Sequence, residues 1–152
     1  MRISFIAALV VIVCANTVQA QCYEPGLEFD SSPDWHLING GIAISGRVTN
    51  RTDLAIGGIT LIFDILSTDR PMSLASPGAS VSPISGGLLV GESIDFQGFG
   101  LLDDRSAAMV TNAETIQIVL KRLSISDQNM APVELPGKTY MGLSEATVTS
   151  CG

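Results

Sequence analysis

The chain is short of basic residues and of aromatic residues, and each shortage narrows what it can do. Eight lysines and arginines stand against fifteen acids, and the only lysines are Lys121 and Lys138. Nucleic acids and anionic membrane surfaces are recognised through a basic face, so this balance argues against both as partners. Aromatic residues make up 5% of the chain, so isoleucine, leucine and valine must fill any core.

Histidine is scarcer still, since His36 is the only one. A serine or cysteine nucleophile needs a histidine within hydrogen-bonding reach, and no Gly-x-Ser-x-Gly or Ser-x-x-Lys motif accompanies it. One histidine also makes a poor start for a zinc site, which needs three or four ligands. Next to Trp35, near a strand start, His36 is expected on the surface. The sequence predicts no catalytic residue, no cofactor and no metal.

The N-terminus has the pattern of a secretory signal peptide. Arg2 precedes an uninterrupted apolar run over residues 5–15, and the small residues Val18 and Ala20 precede a cut before Gln21. That run is shorter than the roughly 20 residues of a membrane-spanning helix, and no later stretch is apolar enough to cross a bilayer. We expect a signal peptide at 1–20 and one domain at 21–152, secreted or periplasmic. Losing Arg2 leaves seven basic residues against fifteen acids, a net charge of −8.

Cysteine is also rare, and its placement is informative. Cys14 leaves with the signal peptide, so Cys22 and Cys151 remain at opposite ends of the domain. An even pair in an oxidising compartment predicts a disulfide, with free thiols or an intermolecular bridge as alternatives. A bridge would close a loop of nearly the whole domain, worth roughly 4–5 kcal/mol in the chain-entropy model.

Helical periodicity is absent, and alternating apolar residues between Gly, Pro, Ser, Asn and Asp predict strands. The expected strands are 27–30, 36–49, 58–67, 92–100, 114–126, 132–136 and 143–149. Gly40-Gly41 indicates a bulge or bend within the second strand. The Pro-, Ser- and Gly-rich segment 68–87 predicts a long, partly extended loop. Residues 103–108 fit either a single helical turn or an exposed loop.

About seven strands predict an all-β domain, an antiparallel immunoglobulin-like β-sandwich. The strand at 58–67 is partly apolar on both faces, so we expect it at the centre. The Cys, Trp, Cys spacing of antibody domains is missing. A small barrel is the alternative, because periodicity does not separate the two architectures.

Three short segments resemble a known family. They are residues 44–52 (ISGRVTNRT), 59–66 (ITLIFDIL) and 91–96 (GESIDF). They resemble the FxLYD-type extracytoplasmic sandwich domains of bacteria, which carry Gly-x-Val-x-Asn at a strand end, an apolar strand with an Asp, and a later Gly-Glu before a strand. The matched stretch is roughly half of the mature chain, and the insert at 68–87 and the terminal cysteines depart from the pattern. The resemblance implies an exported, non-enzymatic accessory module without catalytic residues.

Other short segments resemble motifs of known chemistry. Residues 86–93 have the spacing of a P-loop, but Glu92 replaces the required lysine, which favours a turn entering a strand. Asp103-Asp104 and 127–129 offer oxygens for calcium without EF-hand spacing, so we expect solvated loop charges. Asn50 begins an N-glycosylation sequon on a predicted turn, with capping of that turn as the alternative.

Two carboxylates, Asp64 and Asp95, lie inside predicted strands. A strand carboxylate that faces a core must be paired or hydrogen-bonded, and Arg47 or Arg122 is the expected partner. Six further aspartates lie in predicted turns, where water solvates them: Asp34, Asp53, Asp69, Asp103, Asp104 and Asp127.

These features favour a non-enzymatic binding or accessory module that recognises a protein partner through a sheet edge or loops. The alternative is a structural subunit of a surface or extracellular assembly, pairing through weakly charged edges at 71–91 and 139–150. A hydrolase with a carboxylate site is the third hypothesis.

Overall fold

The computed structural model describes residues 20–67, 70–113 and 115–151. The predicted signal peptide, apart from Ala20, lies outside these residues. No helix within the described ranges is long and apolar enough to cross a membrane.

The described residues form twelve strands and one short helix, and the strands pair antiparallel throughout, which confirms the all-β prediction. In chain order the elements are β1 (Gln21–Tyr23), β2 (Leu27–Phe29), β3 (Asp34–Ile38), β4 (Gly41–Asn50), β5 (Ile56–Ser67), β6 (Arg70–Ala75), β7 (Gly78–Val81), β8 (Ser93–Leu101), α1 (Asp104–Asn112), β9 (Ile116–Asp127), β10 (Thr139–Tyr140), β11 (Leu143–Glu145) and β12 (Val148–Thr149).

The strands form one hydrogen-bonded path in the order β10-β11-β9-β5-β7-β8-β4-β2-β1-β12, with β3 beside β4 and β6 beside β5. The central position expected for 58–67 is confirmed, because β5 pairs with β6, β7 and β9. The sheet curls until Phe29 of β2 packs edge-on to Phe63 of β5, with ring centroids 6.3 Å apart. A seven-stranded immunoglobulin-like sandwich is not confirmed, because the facing layers belong to one curled sheet.

The inner face of this sheet is the hydrophobic core, and β9 shows how the sequence maintains it. The buried side chains of β9 are Ile118, Leu120, Leu123 and Ile125. Their alternation changes phase between 120 and 123, where the register against β5 also shifts, as in a β-bulge. The extra residue keeps the charged pair Lys121-Arg122 out of the core.

The last segment of the chain joins the two ends of the curled sheet. β11 pairs with β9, and β12, only two residues further on, pairs with β1. Between them the Ala146 amide donates to the Lys121 carbonyl at 2.9 Å, and the Glu24 amide donates to the Thr147 carbonyl at 2.9 Å. The strand predicted at 143–149 is therefore two short strands with different neighbours.

The single strand expected at 36–49 is a hairpin, so that prediction is wrong. β3 and β4 are joined by the two-residue turn Asn39-Gly40, with Ile38 opposite Gly41. Gly40 has φ +76°, which glycine adopts without strain. Of the two turn residues, Gly40 alone has a positive φ, and Asn-Gly is a common turn sequence between two strands.

The loop expected at 68–87 is wrong over half of its length, since the segment contains β6 and β7. Residues 68–69 lie outside the described ranges. Small residues are needed here for packing. β7 lies between β5 and β8, where a Cβ on Gly98 would be 2.6 Å from the Gly78 carbonyl oxygen and 2.8 Å from Ala79 Cβ.

The strand expected at 132–136 does not form, because the chain leaves the sheet after one bridge between Ser126 and Pro132. The ambiguous segment after β8 is a helix. Asp103 caps α1 by accepting a hydrogen bond from the Ser106 amide at 2.6 Å, and Val110 is the side chain of α1 that is fully buried.

Candidate functional site

The most exposed of the longer strands is β3, at an edge of the sheet. All five of its residues are exposed, and three are large and apolar: Trp35 and Leu37 at 38% and Ile38 at 42%. In the described part of the chain, β4 is the strand that pairs with β3. An exposed edge with apolar side chains is a feature that proteins usually protect or use for binding.

The hydrogen bonds of β4 determine which N–H and C=O groups of β3 point toward the sheet and which point away from it. Even-numbered β4 residues bond toward β8: the Asn50 amide donates to the Glu92 carbonyl at 2.9 Å. Odd-numbered residues therefore bond toward β3, where they face Asp34, His36 and Ile38. Trp35 and Leu37 stand opposite even-numbered residues, so their N–H and C=O groups point away from the sheet. The edge thus offers two donors and two acceptors.

An apolar surface continues from this edge onto the outer face of β8. Phe99 is 44% exposed and Leu101 is 80% exposed. The Phe99 ring covers Gly41, where an added Cβ would lie 2.3 Å from it. The same sheet face therefore carries Ile38 on β3 and Phe99 and Leu101 on β8, with β4 between the two strands.

A polar hollow of about 400 Å³ lies beside the start of β3, lined in part by Asp30, Asp34, Arg47 and Asp95. Arg47 Nε and Asp95 Oδ1 are 2.7 Å apart and Nη2 and Oδ2 are 3.2 Å apart, which confirms the partner expected for Asp95. Hydrogen bonding from Arg47 holds the pKa of Asp95 below its usual value. Both side chains are largely exposed.

The partner expected for Asp64 is wrong. Asp64 pairs with Lys121, at 2.9 Å, and accepts hydrogen bonds from Ser73 and Ser76 at 3.1 and 2.8 Å. Burial works to raise the pKa of Asp64, but these hydrogen bonds outweigh it and the pKa lies below its usual value. Arg122 instead lies over the Tyr140 ring, 4.8 Å from its centroid.

Asn50 of the sequon is fully buried and uses its whole hydrogen-bonding capacity. Its Nδ2 donates to the carbonyls of Leu54 and Leu88, both at 2.8 Å. Its Oδ1 accepts from the Thr52 amide at 2.9 Å and from the Thr52 hydroxyl at 2.7 Å. The side chain therefore caps the turn. Glycosylation stays a prediction, and a sugar would have to bond to this same Nδ2.

The other sequence-predicted positions lie apart from one another. His36 is at the middle of β3, with its side chain exposed, as expected. The segment 86–93 enters the strand β8, and Glu92 accepts a hydrogen bond from the Leu89 amide at 2.9 Å. Asp103 caps α1, and Asp127 accepts from the amides of Asn129 and Ala131 at 2.8 and 2.9 Å. Across the described ranges, no three His, Cys, Asp or Glu side chains gather to hold a metal.

The predicted disulfide is present. Cys22 and Cys151 are bonded, with Cα atoms 5.3 Å apart, within the range that a disulfide requires. The bond lies along an open cleft of about 810 Å³, which also contains the Arg51–Glu28 ion pair. A disulfide is consistent with a location outside the cytoplasm.

The chain matches no family model, no curated protein and no solved structure. The resemblance to FxLYD-type domains therefore stays a prediction from the sequence. Sequence reasoning missed the β3 edge because it joined β3 and β4 into one strand. The Asn39-Gly40 dipeptide was the signal that could have separated them.

Proposed function

We propose that the mature chain is an exported, non-enzymatic binding module that recognises a protein partner by adding a strand to the β3 edge. The observation that carries this proposal is the geometry of β3: outward backbone groups at Trp35 and Leu37, beside exposed apolar side chains. Strand addition draws affinity from main-chain hydrogen bonds and specificity from alternate side chains, and β3 offers both.

The expected compartment and the resemblance to FxLYD-type domains each support the proposal. The Cys22–Cys151 bond suits an oxidising location, in agreement with a secreted or periplasmic protein released by signal cleavage. FxLYD-type domains are accessory modules of that location. The immunoglobulin-like arrangement that the resemblance implies is compatible with the contact of Phe29 with Phe63 across the core.

The alternative, a structural subunit that pairs through 71–91 and 139–150, has less support. β7 is paired on both sides, and β10 and β12 have two residues each. β6 is an edge strand within 71–91 and exposes Met72, but α1 lies against it. β3 exposes all five of its residues, three of them large and apolar.

The test uses a photoreactive residue at His36, at the middle of β3, in the full chain expressed in its source. We expect a discrete adduct whose cross-linked peptide lies in an extended segment of the captured protein. Adding Leu37→Pro should abolish the adduct, because proline removes an outward N–H while the bonds to β4 remain. The matched control carries the photoreactive residue at Leu89, which is 49% exposed and lies outside every strand. Equal adducts from both positions, or none from His36, would contradict the proposal.

A further inference from the structure

The outward-pointing backbone N–H and C=O groups of β3, called its free ladder below, cover a short stretch that ends at defined residues. Trp35 and Leu37 are the β3 residues whose backbone groups point outward. The next outward position toward the N-terminus is Pro33, which has no N–H to donate. At the other end, the turn Asn39-Gly40 leads the chain into β4. An added strand must therefore take its bonds from Trp35 and Leu37, so the register of pairing is restricted.

We infer that the occupant of this edge is a second copy of the same chain. The two β3 strands pair antiparallel, about a two-fold axis that passes midway between the two His36 residues. The inference rests on the proposed function, since it names the partner of the same edge. A two-fold interface requires a surface that complements itself, and β3 meets this requirement in its backbone and in its side chains.

The backbone argument concerns the register. With His36 opposite His36 of the second copy, Trp35 stands opposite Leu37 of the second copy, and the reverse pair repeats it. Each of these two pairs exchanges two N–H to C=O bonds, so every outward group of both strands is used. A two-fold axis at Trp35 would place Leu37 opposite Pro33 and lose a donor in each such pair. The His36-centred register is thus the one that the free ladder favours.

The side chains agree with this register. Trp35 lies against Leu37 of the second copy on one face, and an aromatic paired with an aliphatic side chain is a favourable cross-strand neighbour. Asp34 is the charged carboxylate of β3, and it lies opposite Ile38 of the second copy. The two Asp34 residues are offset by four positions, about 13 Å along the strands. That exceeds the Debye length of about 8 Å at physiological salt, so their repulsion is largely screened.

The size of the contact predicts its strength. Five residues of each copy take part, against roughly 20–30 a side in a standard stable interface. The dimer is therefore reversible and dependent on concentration. It forms where the local concentration of the exported chain is high.

The first experiment is sedimentation equilibrium of the mature, disulfide-bonded chain up to about 1 mM. We expect the average mass to rise from one chain toward two as the concentration rises. Leu37→Pro and Leu37→Lys should weaken association by about tenfold or more. Leu89→Lys is the matched control: it puts the same charge on another exposed leucine, and should associate like the parent chain.

The second experiment reads the same contact by amide hydrogen exchange and does not depend on any variant. In the monomer, the amides of His36 and Ile38 are protected by β4, while those of Trp35 and Leu37 exchange freely. Pairing should slow exchange at Trp35 and Leu37 as the concentration rises, with His36 and Ile38 as internal controls. A mass of one chain at about 1 mM, or dimerisation with no change at these two amides, would overturn the inference.

The two proposals fail separately. A His36 adduct to a different protein, together with a chain that stays monomeric, retains the proposed function and removes the second copy as occupant. Loss of the adduct and of association together removes both. An adduct of the chain to itself, abolished by Leu37→Pro, supports both.

Discussion

The substitution Asn50→Asp tests the buried turn most sharply, because it exchanges one atom and leaves the shape unchanged. In the native chain, Nδ2 of Asn50 donates to the carbonyls of Leu54 and Leu88. In the variant an oxygen faces these two acceptors. A carboxylate satisfies neither of them, and a protonated acid can satisfy one.

The expected cost follows from counting these bonds. Each carbonyl keeps a second donor, the Ile56 amide at Leu88 and the Thr52 hydroxyl at Leu54. The cost is therefore that of two lost hydrogen bonds, about 1–3 kcal/mol at neutral pH, and burial of the new charge adds to it. Whole domains are stable by only about 5–15 kcal/mol, so the effect is large. At acidic pH the protonated side chain can restore one donor and carries no charge, which leaves a cost of about 0.5–1.5 kcal/mol.

The pH dependence has a definite sign. Burial favours the neutral acid, so the introduced carboxyl has a higher pKa folded than unfolded. The folded state then holds the proton over a range where the unfolded state has lost it, and stability falls as pH rises from the unfolded pKa, about 3.9, through the folded pKa. The variant should therefore be less destabilised, relative to the parent, at about pH 4 than at pH 7.

Urea unfolding followed by circular dichroism at both pH values measures this difference. The control is Asn39→Asp in the exposed β3–β4 turn, where Asn and Asp are both ordinary turn residues and the change should be within about 0.5 kcal/mol. If Asn50→Asp unfolds at the urea concentration of the parent at pH 7, or loses the same stability at both pH values, the reasoning is refuted.

Three further predictions concern stability. Asp64→Asn should reduce the loss of stability on acidification, since the depressed pKa of Asp64 contributes stability that disappears as pH falls through its folded value, and urea unfolding below about pH 4 checks this. Met141 is 85% exposed with φ +51°, so Met141→Asn should raise the melting temperature by removing about 1 kcal/mol of backbone strain. Removing the disulfide by Cys22→Ser with Cys151→Ser should cost about 2–5 kcal/mol in urea unfolding; no loss would contradict its stabilising role.

The fold is predictable from the sequence where a single strand corresponds to a single run of alternating apolar residues. β5 and β8 follow directly, because their apolar residues alternate for many positions and the core takes one side. β9 follows in the same way on each side of its bulge. The disulfide follows from compartment and parity, and its closing distance is confirmed. Composition was misleading at β7, where small residues serve close packing against Gly98 and not a loop.

The missed features depend on contacts between distant residues. The pairing of Asp64 with Lys121 depends on the bulge in β9, which changes the side of the sheet that each residue faces. The break in alternation after Leu120 indicated such a bulge, but the partner depends on the register with β5. The alternation of apolar residues does not predict the division of 143–149 into two strands. That division depends on the two ends of the sheet that the segment joins.

The strands that close the curled sheet are different from the strand that is exposed at its β3 edge. Closure depends on β1 and β12, which are three and two residues long, and such short pairs are marginal without support. The Cys22–Cys151 bond supplies that support at one end of the path. β3 is held elsewhere, by five residue pairs with β4, and β4 pairs over nine residues with β8. Opening the disulfide therefore frees β1 and β12 first and leaves the β3 edge on an intact support. The bond thus stabilises the domain at a distance from the edge proposed for partner binding.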